Sequence, residues 1–139
     1  MARRLLAGVV AAAALGAVGS AAADQLPFLR SAQAVRHHLV LKLSVGDVRP
    51  TELMVAKRGA VNVDGALLQK NVRLREAIQL PVAATGVVRW RSHLRLRSGT
   101  YFVQVVAVDM GGGGVTDCLP KQPRCNEHWS NVRRVVVPR

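Results

Sequence analysis

Leu96-Arg-Ser-Gly-Thr-Tyr-Phe-Val-Gln-Val-Val-Ala-Val-Asp109 is the stretch whose reading decides the fold. A turn at Ser98-Gly99 leads into strict alternation. Tyr101, Val103, Val105 and Ala107 fall on one side, and Phe102, Gln104, Val106 and Val108 on the other. Side chains alternate across a strand, so a period of two predicts a central β-strand. Phe102, Val106 and Val108 make the second side apolar as well: open to water it would be an interface patch, and coverage by a neighbouring segment is the simpler expectation. Further on stand Trp129-Ser-Asn131 and the run Val135 to Val137.

Working outward, Val88 to Leu96 alternates in the same way. Val88, Trp90, Ser92, Leu94 and Leu96 face one side; Arg89, Arg91, His93, Arg95 and Arg97 face the other. His38 to Val45 is a further strand, with Leu39, Leu41, Leu43 and Val45 alternating against Val40, Lys42 and Ser44. Gly46-Asp47 ends it and Arg49-Pro50 marks a turn. Glu52 to Lys57 is a second apolar strand, and Asp64-Gly65 is a turn signal. Ala66 to Leu80 reads as strand and loop, and Pro81 to Gly86 as loop. Residues 24–37 lack periodicity and are expected to form an irregular leader. The chain is thus expected to be all-β, an antiparallel β-sandwich of two sheets spanning 38–139.

The N-terminal residues predict export. Arg3 and Arg4 precede an apolar stretch from Leu5 to Val18, and Ala21-Ala-Ala23 is a small-residue cleavage pattern, so 1–23 reads as a signal peptide. That stretch is shorter than the roughly 20 residues a membrane-spanning helix needs, and no later segment reaches that length. No membrane span is therefore expected in the mature chain, which should be secreted, either extracellular or in the cell envelope. The net charge is +12, with sixteen arginines against four lysines. Removing Arg3 and Arg4 lowers it by two and leaves a strongly basic protein. Export argues against nucleic acid as the physiological partner and for an anionic envelope polymer or an extracellular protein.

The residues around Tyr101 carry a resemblance. Leu96, Gly99, Tyr101, Val103, Val105 and Ala107, followed by Trp129-Ser-Asn131 and the last valines, resemble the fibronectin type III domain and its Ig-like relatives in exported bacterial proteins. That resemblance implies a β-sandwich, with Leu96, Tyr101, Val103, Val105 and Trp129 as corner and core residues and the Tyr101 hydroxyl bonded back to the chain at the bend. It is specific over about 94–137 and general before that. Ser98 stands where the family usually has proline, the leucine-to-tyrosine spacing is one residue short, and no early-strand tryptophan is found, Trp90 being the candidate substitute.

The chemistry-bearing residues are few. Cys118 and Cys125 enclose a short loop and, in an exported chain, are expected to form a disulfide. In the loop-entropy model it restricts the unfolded chain by roughly 2–3 kcal/mol. Lys121 and Arg124 lie within that loop as candidate anion contacts. Adjacent His37 and His38 would point to opposite faces of a strand, so no metal site is expected. Ser92, Ser98 and Ser130 lack a nucleophile elbow. The carboxylates are scattered, and Gly111 to Gly114 has no phosphate-loop lysine after it. The distinctive feature is the row Arg89, Arg91, Arg95 and Arg97, whose guanidinium forks suit sulfate, phosphate or carboxylate groups. The expected function is a non-catalytic binding or structural module without cofactor. The alternative is an accessory domain or small hydrolase acting on envelope glycans.

Overall fold

The computed structural model describes residues 25–109 and 127–139. Their order is β1 (Gln25–Leu26), β2 (Leu29–Val35), β3 (His38–Val45), β4 (Val48–Ala56), a 3-10 turn (Gln69–Asn71), β5 (Val72–Ala77), β6 (Gly86–Arg95), β7 (Gly99–Asp109), β8 (Glu127–Ser130) and β9 (Arg133–Val137). The fold is all-β. One sheet has the order β1-β8-β7-β4-β5, with β9 also paired to β7; the other is β2-β3-β6. β8 and β9 follow one edge of β7 in succession and break at Ser130. There the Ser130 hydroxyl accepts the Val105 N–H at 2.8 Å in place of a backbone carbonyl.

Alternation explains the core. From β3 come Leu39, Leu41 and Leu43, all fully buried; from β4 and β7 come Leu53, Val55, Val103 and Val105. Both sheets contribute these inward residues to one hydrophobic cluster. Tyr101 joins it, and its hydroxyl donates to the Arg97 carbonyl at 2.7 Å. Leu96, 2 % exposed, packs beneath the same bend. The Lys57 ammonium lies 4.0 Å from the Tyr101 ring centroid, an attractive cation–π contact.

The other face of the six-stranded sheet holds a second cluster of Met54, Ala56, Leu67 and Val106, with Phe102 and Trp129 packed against it. The segment between β4 and β5 supplies the cover. Gln104 pins it: its side-chain oxygen accepts the Leu67 N–H at 2.8 Å, and its amide donates to the Gly65 and Ser130 carbonyls at 2.7 and 2.8 Å. Trp129 is thus part-buried on this outer cluster, away from the main core.

Three sequence readings need correction. The stretch 24–37 is not an irregular leader: β2 pairs antiparallel with β3 from Leu29 to Val35. Its inward positions include the small residues Ala32 and Ala34, which pack on the core but carry a weak periodic signal. Arg36 and His37, with φ of 49° and 68°, form the two-residue turn of that hairpin. Left-handed turns normally announce themselves through Asn-Gly or Asp-Gly. Arg49-Pro50 lies inside β4, where the register slips between Pro50 and Glu52; β5 pairs with β4 only from Glu52 onward, so no β5 partner waits for the N–H that proline lacks. Finally, one strand pair is not antiparallel, since β1 runs parallel to β8.

Candidate anion-binding site

Cross-strand register defines the outer face of the three-stranded sheet. Ser31, Lys42 and Arg89 form one row; Gln33, Val40 and Arg91 the next; Val35, His38 and Arg95 the third. Directly opposed residues share a face. The opposite face carries Ala32, Leu41 and Trp90 in one row, turned to the core. Arg89, Arg91, Arg95 and Arg97 are all exposed. Val40 is only 4 % exposed although it lies on this outer face.

A bulge sets the spacing of the row. Arg91 opposes Val40 and Arg95 opposes His38, so the strand advances four residues on β6 for two on β3. Ser92, His93 and Leu94 take up the excess. Glu76 of β5 holds them: its carboxylate accepts the Ser92 hydroxyl, the His93 N–H at 2.9 Å and the Leu94 N–H at 3.3 Å. Measured against β3, Arg89, Arg91 and Arg95 therefore stand one row apart, about 7 Å each. Without the bulge Arg95 would lie a further row away.

The face is one-signed. β2, β3 and β6 contain no aspartate or glutamate, whereas Lys42, Arg89, Arg91 and Arg95 all lie on this face. Lys42 and Arg89 are directly opposed like charges, which destabilise a sheet. Among the described residues the one ion pair is Arg75 with Glu52, on the other sheet. No hydrogen bond or ion pair engages the guanidinium groups of Arg89, Arg91, Arg95 or Arg97 among those residues. An incoming anion would relieve this repulsion.

Arg97 lies past the end of β6, where the chain bends under the Tyr101 bond. With His37, Arg95, Leu96 and Ser98 it lines an open groove of about 520 Å³. A second groove of about 470 Å³ between β5 and β6 is lined by Glu76, Ala77, Gln79, Trp90, His93 and Leu94. Glu52 and Glu127 share a third of about 90 Å³, where Arg75 holds Glu52 at 2.6 Å. That volume falls well below the roughly 300 Å³ at which small-molecule sites begin.

Cys118, Cys125, Lys121 and Arg124 lie outside the described residues, as does the stretch 1–23. Among the described residues no group of three His, Cys, Asp or Glu side chains could hold a metal ion, and no helix is long and apolar enough to cross a membrane. Lys42 and His37 were not legible in the sequence as members of the site. Register brings Lys42 to Arg89, and the hairpin turn brings His37 to Arg97. No family model, curated protein or solved structure matches the chain.

Proposed function

We propose that this chain is an exported, non-catalytic binding module of fibronectin type III-like β-sandwich form. Through the outer face of its three-stranded sheet it engages an extended polyanion of the cell envelope. The observation that carries this reading is the evenly spaced row Arg89, Arg91 and Arg95, with Lys42 beside it, on a sheet without acidic residues. A repeat of about 7 Å suits a chain bearing regularly spaced charged groups. The fold assignment draws support from the strand order, β2-β3-β6 against β5-β4-β7-β9, and from the Tyr101–Arg97 bond.

The test is retention of the mature chain on immobilised heparin and on immobilised polyphosphate, as sulfated and phosphorylated probes. The variant K42Q/R89Q/R91Q should elute at clearly lower salt than the parent. The charge-matched control R58Q/K70Q/R134Q changes cations that lie off this face and should elute close to the parent. Equal elution of the two triple variants would reduce the reading to net charge alone and overturn it.

A further inference from the structure

The outer face ends in a groove whose walls are better fixed than an exposed basic surface requires. His37 and Leu96 clasp each other: the Leu96 N–H donates to the His37 carbonyl at 2.8 Å, and His37 Nδ1 lies 2.9 Å from the Leu96 carbonyl. A carbonyl oxygen only accepts, so Nδ1 carries the proton of that bond. The Arg97 carbonyl is held by Tyr101 at 2.7 Å, and the Ser98 hydroxyl donates to the Pro138 carbonyl at 3.1 Å. Three tethers therefore fix the backbone from which the Arg95 and Arg97 side chains project.

The turn that delivers His37 is costly. Arg36 and His37 both occupy the left-handed region, which favours glycine and tolerates asparagine. A sequence selected for folding alone would place Asn-Gly here. Strain of this kind, held in place by surrounding bonds, is often found where a side chain is needed for binding. What the strain delivers is an imidazole lining one groove with two guanidinium groups that, among the described residues, have no partner of their own. Among the described residues, His37 Nε2 has no partner either.

We propose that His37, Arg95 and Arg97 form a subsite for a phosphate group at the end of the cationic row. The proposal rests on the polyanion-binding reading given above and adds the chemistry of its terminal contact. Two guanidinium forks and one imidazole nitrogen offer three directions of contact, matching a tetrahedral oxyanion better than a planar carboxylate. A phosphate monoester keeps a titratable proton near neutral pH. It can therefore meet Nε2 as acceptor or as donor, whichever form the ring takes. A sulfate ester has no such proton.

The test uses the mature chain with short-chain inorganic polyphosphate, whose terminal groups keep such a proton, as the phosphate probe, heparin as the sulfate probe, and calorimetric titration. His37→Asn suits the left-handed turn and keeps an amide donor for the Leu96 carbonyl, but it lacks Nε2. It should leave the unfolding midpoint unchanged or raised and weaken polyphosphate binding about fivefold, with heparin binding less affected. R95Q/R97Q should keep or raise the parent's stability and weaken polyphosphate binding by about tenfold or more, while R58Q/R134Q stays within about twofold. Overturning results would be His37→Asn binding polyphosphate as the parent does, or both probes losing affinity equally. A fall in binding that merely tracks lost stability would also overturn it, by showing that His37 acts only in folding. A parent that binds neither probe would instead sink the broader polyanion reading, so the two failures are distinct.

Discussion

At Gln104 a polar side chain lies fully buried within a strand of valines, and all three of its hydrogen bonds reach different parts of the chain. One goes to Leu67, one to Gly65 and one to Ser130, so a single residue joins the covering segment, β7 and the end of β8. A buried amide is tolerated only when satisfied in this way. Gln104→Leu keeps the volume but leaves the Leu67 N–H without its partner and takes one donor from each of two carbonyls. Gly65 keeps a second donor from Gln25 at 2.8 Å, which limits the damage there. The expected loss is about 2–4 kcal/mol, since each buried group left unsatisfied costs about 1–3 kcal/mol. Urea unfolding checks this, and a loss below about 1 kcal/mol would show that the segment is held by its apolar contacts alone. In the sequence Gln104 reads only as a polar residue on the less buried side of a strand. Its role depends on a turn whose position the strand pattern does not specify.

Between elements, the joint that matters most joins β5 to β6. The two strands belong to different sheets, and Glu76 bridges them by gathering the bulge at Ser92 to Leu94. The bulge in turn brings Arg95 into step with Arg91. Glu76→Gln retains one acceptor oxygen and turns an amide donor toward backbone N–H groups that need acceptors. A drop of about 2 kcal/mol is expected, the size typical of hydrogen bonds to a charged group. Amide exchange should quicken at His93 and Leu94, and unchanged exchange there would mean that the bulge stands without the carboxylate. Strands with long apolar alternation, β3, β6 and β7, were legible because periodicity is a local signal. β2 was hidden because alanine at its inward positions blurs that signal. The Arg36-His37 turn was hidden because neither residue announces a left-handed conformation. The arginine row was legible on one strand, yet its spacing was not: it depends on a bulge that Glu76 holds from sixteen residues away at Ser92. Lys42 became part of the site only through pairing register, which no single strand encodes.

Over the whole molecule, charge is segregated rather than merely high. The net charge is +12, and the one ion pair among the described residues lies on the six-stranded sheet. The three strands of the other sheet carry cations and no aspartate or glutamate, and among the described residues those cations form no ion pair. Its repulsion persists in the folded state and relaxes when the chain expands, so it opposes folding. Screening should then stabilise the protein, because the Debye length shrinks from about 30 Å at 0.01 M salt to about 8 Å at 0.15 M. Raising sodium chloride across that range is expected to raise Tm by a few degrees, on the order of 1 kcal/mol for a domain of this size. K42Q/R89Q/R91Q should start from a higher Tm at low salt and respond less. A protein whose surface charges were mainly paired would do the reverse, losing stability as salt weakened its ion pairs. A Tm that falls with added salt would therefore overturn the picture of an unpaired cationic face. The measurement requires no ligand, so it tests the electrostatic arrangement independently of whatever polyanion the face engages.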